Sequence, residues 1–168
     1  MMGVQARLVA GIPAGVVATL TMDAAMVAAA RIGGGAFASE RTDLAVIGRW
    51  AGGMLRGRWR HVDASGEDPG ALDVPLGLAT HYLTGLALTE AFVLVPWRRP
   101  APMFTAAVAY GVATSVLPLF VLFPSLGYGP AGLRSGEAAR LARIMLVGHT
   151  AFGAGIGLGT TLLIGHRP

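Results

Sequence analysis

Three ionisable residues, each from a different long apolar stretch of this sequence, fall at a similar depth: Asp23, His81 and His149. If each stretch is a helix that rises about 1.5 Å per residue, Asp23 lies about 10 Å inside one face of a membrane. The same rise puts His81 and His149 each about 9 Å inside that face. Side chains at such a depth normally face a bundle interior and have a partner. The three residues therefore form a candidate intramembrane polar site.

Four roles are open for this polar layer. The side chains can hydrogen-bond across helices and hold the packing together. They can carry a proton or a small solute, because histidine titrates near neutral pH. Asp23 with the two imidazoles can bind a divalent metal, and the two imidazoles alone can hold a b-type haem. The sequence favours the absence of a cofactor over these last two roles, and it indicates no catalytic residue.

Tyr82 and Glu90 are secondary candidates in the same stretch as His81. Glu90 lies about 10 Å from the opposite membrane face, and no basic residue shares its layer. We expect its carboxyl group to be protonated, to face a wet cavity or to meet an oligomer partner.

The composition is that of an integral membrane protein. Of the 168 residues, 54% are apolar and 13% are charged, against about 25% charged in a soluble domain. The mean hydropathy of +0.60 excludes a soluble globular domain, a disordered tail and a coiled coil. There is no cysteine, which excludes thiolate metal sites, iron–sulfur clusters and cysteine nucleophiles.

The apolar stretches predict an all-α membrane protein of four transmembrane helices, arranged as two hairpins in a single domain over residues 1–168. The predicted spans are about 8–30, 75–97, 102–124 and 143–165. A kink is expected in the third span at Pro118. Two short motifs indicate an internal repeat: Gly15–Thr19 resembles Gly111–Thr114, and His81–Gly85 resembles His149–Gly153.

The loop over residues 31–74 is the largest part outside the predicted spans. Its apolar residues recur at helical spacing and predict an interfacial amphipathic helix at about 42–57. The residues expected to contact lipid headgroups, a partner or an anionic ligand are Arg49, Trp50, Arg56, Arg58 and Trp59. Arginine beside tryptophan suits the headgroup zone. The acidic stretch 63–73 is expected to be a solvated loop.

All 13 basic residues are arginines, and the net charge is +4. Because these arginines flank apolar spans, they indicate lipid contact and topology rather than nucleic-acid binding. The first and third loops carry more arginines than the other side, so the count favours placing those two loops in the cytoplasm.

Several motifs then occur in a recognisable order. They are Gly48-Arg49-Trp50, His81-Tyr82 with Gly85, Pro118 with Phe120 and Pro124, Gly127 and Gly129, and His149 with Phe152-Gly153. From about Gly11 to Gly159 the chain resembles the bacterial family called domain of unknown function 2938. The resemblance implies a four-span inner-membrane protein and draws attention to the two histidines. It supplies no chemistry, and neither Glu90 nor the second Gly-Arg-Trp belongs to the family pattern.

We expect a non-catalytic membrane protein, either an accessory subunit or a bundle that oligomerises through glycine faces. One alternative is a transporter or channel for a small solute, proton or metal that uses Asp23, His81 and His149. The other is a redox protein with b-type haem or a metal. A hydrolytic enzyme is not expected, because nucleophile and base motifs are missing. The expected location is the bacterial inner membrane, with several spans, and the expected partners are the lipid bilayer and either further copies or a larger complex.

Overall fold

The computed structural model describes residues 4–95 and 100–164, and within them it contains helices and no strand. The helices are α1 (Val4–Gly33), α2 (Leu44–Leu55), α3 (Asp73–Val93), α4 (Pro100–Thr114), α5 (Phe123–Ser125) and α6 (Ala138–Ile164). The prediction of an all-α fold is therefore confirmed. The predicted ends of the second and fourth spans, at residues 97 and 165, lie outside the described residues.

Three helical stretches in the described part of the chain are long and apolar enough to cross a membrane. They are Arg7–Ala36, Met103–Ser125 and Ala138–Leu162. The second predicted span corresponds to α3, which has 21 residues but is not among the three. Its length is sufficient, but His81 and Glu90 lower its hydropathy. Four spans therefore remain a prediction, and three are supported by length and composition.

The helical path through the third predicted span is irregular. Beyond α4 a π-helical turn runs over Pro118–Leu122 and leads into α5. Proline has no N–H to donate and its ring clashes with the preceding turn, so a regular α-helix is disfavoured at Pro118. The structure thus has a π turn at the position where the sequence predicts a kink.

The chain divides into two compact units. The first comprises the described residues of Met1–Val27, Tyr82–Thr114 and Val147–Pro168, and the second comprises Ala28–His81 and Ser115–Leu146. In the first unit, apolar side chains from α1, α3, α4 and α6 share one core. Its buried members are Ala18, Phe92, Val93, Met103, Ala107, Phe152 and Ile156.

Glycines bring the helices of the first unit close together. A Cβ added at Gly153 would overlap the backbone of α4 at Ala107 and Gly111. A Cβ added at Gly155 would lie 2.6 Å from the Cα of Ala18 in α1. One glycine face of α6 thus contacts α4 and another contacts α1. Close backbone packing of this kind is a means by which helices attract one another in a membrane, where lipid provides no hydrophobic force between them.

The outer face of α1 is apolar and exposed. Val9, Ile12, Leu20 and Val27 are each at least half exposed and recur at helical spacing. In a membrane this face meets lipid or another chain.

The second unit depends on an equally close contact between α2 and the beginning of α3. A Cβ at Gly48 would overlap the carbonyl of Asp73, and a Cβ at Gly77 would overlap the carbonyl of Leu44. The predicted helix at 42–57 is present as α2, and the residues it buries in the protein are Val46, Gly48, Arg49, Ala51, Gly52 and Gly53. Leu55, at the end of the helix, is 80% exposed. Close backbone approach thus places the glycines of this helix inward, and its position at the membrane interface stays a prediction.

The loop after α2 is bound to the end of the apolar stretch Met103–Ser125. The N–H of His61 donates to the carbonyl of Ser125 at 2.8 Å, and the N–H of Ala64 donates to that of Leu126 at 3.0 Å. Gly127 has φ of +94°, and a Cβ there would overlap the carbonyl of Val62. Glycine at this position is therefore required both by the turn and by the approaching loop.

We predict that Gly77→Ala lowers the stability of the protein by about 1–3 kcal/mol, because the new methyl group overlaps the backbone of α2. The measurement is thermal or denaturant unfolding in detergent. The matched control is Gly35→Ala, where a Cβ meets nothing within 4 Å. Equal stability of the two variants would contradict the close contact between α2 and α3.

Candidate functional site

Asp23 is hydrogen-bonded between helices in the first unit. The hydroxyl of Tyr82 in α3 donates to Oδ2 of Asp23 in α1 at 3.0 Å. Both side chains are partly buried. This bond satisfies part of the hydrogen-bonding capacity of a carboxyl group in an apolar helix, and it joins the two helices.

His149 makes a second interhelical hydrogen bond in the same unit. Its Nδ1 lies 2.8 Å from Oγ1 of Thr114 in α4, and the residue is 9% exposed. The Thr114 hydroxyl donates its proton to the carbonyl of Gly111 at 2.7 Å. The hydroxyl oxygen is then the acceptor for Nδ1, which we assign as the protonated ring nitrogen from this bonding pattern. Phe152 packs against the ring with its centroid 6.4 Å away.

His81 belongs to the second unit, whereas Asp23, Tyr82 and His149 belong to the first. The common layer of Asp23, His81 and His149 therefore remains a prediction. Among residues 4–95 and 100–164, no group of three or more histidine, aspartate and glutamate side chains is arranged to hold a metal ion.

Glu90 lies against α1 in the first unit. Both carboxyl oxygens are buried and have no hydrogen-bond partner among the described residues. A Cβ at Gly11 would lie 2.6 Å from each of them, so the glycine makes room for the carboxyl group. The sequence marks Glu90 as a candidate, but only the structure reveals that Gly11 accommodates it.

The second unit contains a buried ion pair that the sequence did not predict. Nε of Arg49 donates to Oδ2 of Asp73 at 2.8 Å, and the two side chains are 10% and 12% exposed. Arg49 also donates to the carbonyl of Ala64, and the N–H of Gly70 donates to Asp73. Burial alone would raise the pKa of Asp73, but the bonds from Arg49 and Gly70 outweigh it and lower the pKa.

This placement corrects the prediction that Arg49 contacts lipid headgroups, because its guanidinium is enclosed by α3 and the loop. Trp50 is half-buried, and its Nε1 is buried without a hydrogen-bond partner in the described part of the chain. Trp59, in contrast, is 67% exposed, and Arg56 is exposed as well. The first Gly-Arg-Trp motif, at residues 48–50, is thus largely buried, whereas the second, at residues 57–59, is exposed.

Arg58 belongs to a second charged cluster. It donates to Oε2 of Glu67 at 2.6 Å, while Nδ1 of His61 lies 2.7 Å from Oε1 of the same carboxylate. Burial would raise the pKa of Glu67, but the bonds to His61 and Arg58 prevail and lower it. Most of the acidic stretch 63–73 is exposed, as expected of a solvated loop, but Glu67 is held in this cluster, and Ala64 and Asp73 are buried.

A polar cleft of about 520 Å³ opens beside these clusters in the second unit. Its lining residues are Ala38, Ser39, Glu40, Arg41, Asp43, Ser65, Gly66, Glu137 and Arg140. Arg41 lies 3.3 Å from Asp63 and 3.7 Å from Glu137, which also bonds Ser39 and Arg140. These contacts cross-link the loop over 31–74 to the segment that begins α6. The sequence gives no signal for them, since the partners lie up to 98 positions apart.

The described residues define an all-helical protein with long apolar helices compatible with a membrane. Within this class, the chain belongs to the family described as protein of unknown function (DUF2938), whose model matches residues 12–163. The family resemblance seen in the sequence is thereby confirmed. No curated protein and no solved structure matches the chain.

We predict that Asp73→Asn destabilises the protein by about 3–5 kcal/mol at pH 7, because the Arg49 charge loses its counter-ion while buried. The folded-state pKa of Asp73 is depressed, so its stabilisation is present above the unfolded pKa of about 3.9. It is lost as the pH falls through the folded pKa, and the parent and variant should then converge.

The measurement is unfolding in detergent between neutral pH and pH 3. Asp68→Asn, at an exposed position in the same loop, is the matched control and should behave like the parent. A variant difference that does not shrink in acid would contradict the assignment.

Proposed function

We propose that this protein is a non-catalytic, four-span protein of the bacterial inner membrane that acts by associating with other membrane-embedded chains, its own copies included. The observation that carries the proposal is that Asp23 and His149 each bond a hydroxyl group from another helix. Interhelical bonds of this kind are a means of packing helices in membranes. A packing role for these residues favours an accessory subunit over a transporter.

The second support is the distribution of small and apolar residues. Gly153 and Gly155 are occupied by contacts within the chain, so they are not free to serve another protomer. Contact with another chain would instead use exposed apolar faces, such as that formed by Ile12 and Leu20 on α1. We therefore propose that association uses the outer face of α1 rather than the glycine faces that the sequence suggests.

A double-mutant cycle tests the packing role. We expect Asp23→Ala and Tyr82→Phe to be coupled by about 0.6–1.7 kcal/mol, because they remove the acceptor and the donor of one bond. Unfolding in detergent gives the coupling. Asp23→Ala with Tyr110→Phe is the control pair, since Tyr110 donates to the carbonyl of Leu88 instead, and its effects should add.

The transporter alternative has a different outcome in the same variants. Proton or solute flux into proteoliposomes that is abolished by Asp23→Ala but retained by Tyr82→Phe would overturn the packing role. Additive effects of Asp23→Ala and Tyr82→Phe would also count against it.

Association is tested by cysteine cross-linking in membranes. The chain has no cysteine, so a single Leu20→Cys can form a disulfide only with another molecule. We expect a cross-linked product, either a dimer or an adduct with a second membrane chain. Ser115→Cys is the control, because Ser115 is 3% exposed and the change is nearly isosteric. Monomeric protein for both Leu20→Cys and Ile12→Cys would contradict association through this face.

A further inference from the structure

We infer that the segment after α2, from Arg56 to Val62, is a docking surface for anionic phospholipid at the membrane interface. The ligand chemistry is a lipid phosphate that carries net negative charge, with its acyl chains beneath. This surface is made of other residues than the association face on α1, and the inference does not depend on that face.

The depth of the segment follows from its backbone. His61 and Ala64 donate to the carbonyls of Ser125 and Leu126, where the apolar stretch Met103–Ser125 ends. A helix long enough to cross the hydrocarbon core ends near the headgroups. A segment hydrogen-bonded to that end lies at the same level.

The side chains of this segment point in two directions, either into the protein or outward. The His61 side chain is fully buried, and its Nδ1 bonds Glu67. On either side of it, Arg60 and Val62 are exposed, Val62 to 95%, and Trp59 is exposed to 67%. The buried histidine thus anchors the segment while arginine, tryptophan and valine face outward.

The outward side chains match a lipid surface in chemistry as well as in depth. Arg60 has no ion pair or hydrogen bond within the described chain, and no acidic residue occurs between Leu55 and Val62. A guanidinium recognises phosphate with paired donors, and tryptophan is favoured at the membrane interface. Exposed valine and tryptophan disfavour simple solvation of this segment. The unpaired positive charge of Arg60 favours an anionic lipid over a zwitterionic one.

Trp59 provides a direct probe. In the double variant Trp50→Phe and Trp97→Phe it is the sole tryptophan, and it can be quenched by bromine on lipid chains. We would prepare two sets of proteoliposomes with equal phosphatidylglycerol and phosphatidylcholine. One set carries bromine only on phosphatidylglycerol and the other only on phosphatidylcholine. We expect stronger quenching in the first set.

Arg60→Gln should weaken the preference for phosphatidylglycerol about fivefold, the effect of one arginine near a charged lipid surface. Arg31→Gln is the matched control: it removes the same charge from an exposed arginine at the end of α1 and should leave the preference unchanged. An unchanged melting temperature verifies that each variant is folded.

Three results would overturn the inference. Equal quenching in the two sets would show no selection for anionic lipid. The absence of quenching in both would place Trp59 away from acyl chains, as expected if water or protein covers it. An equal loss of preference in Arg31→Gln and Arg60→Gln would trace the effect to net charge rather than to this surface.

Discussion

Close approach of one helix backbone to another is the constraint on which the rest of this structure depends. In the second unit Gly48 and Gly77 let α2 meet the first turns of α3, and in the first unit Gly111 and Gly153 let α4 meet α6. A methyl group at any of these four positions would occupy space that backbone atoms already fill. In a membrane, where helices gain little from burying apolar surface against one another, close contacts at such crossings are a main source of attraction between helices.

The contact between α2 and α3 also creates the setting for the Arg49–Asp73 pair. With the two backbones held together at Gly48, the guanidinium reaches the carboxylate at the beginning of α3 and the carbonyl of Ala64. A buried ion pair of this kind need not add stability relative to apolar residues, but loss of either partner is costly. The pair therefore links α2, the following loop and the beginning of α3 through bonds from one guanidinium and to one carboxylate.

The ionisable residues of the apolar helices follow a related rule. Asp23 and His149 are hydrogen-bonded to hydroxyl groups on neighbouring helices, whereas Glu90 is accommodated beside Gly11. In each case a small residue or a hydroxyl-bearing residue on another helix accommodates the ionisable side chain. Asp23, His149 and Glu90, which the sequence marks as candidates for chemistry, thus also take part in the packing between helices.

The sequence by itself determined the helical class, the family and the approximate helix boundaries, because apolar runs, glycine and proline act locally on the chain. It also identified Asp23 and His149 as polar residues with partners on other helices, since an ionisable group in an apolar run has few other options. The partners Tyr82 and Thr114, the burial of Arg49 and the contacts of Glu137 were decided by tertiary structure. These partners lie far apart in the chain, and only packing brings them together. The face of α2 that packs against α3 was decided in the same way, because the close approach of two backbones is not contained in the pattern of a single helix.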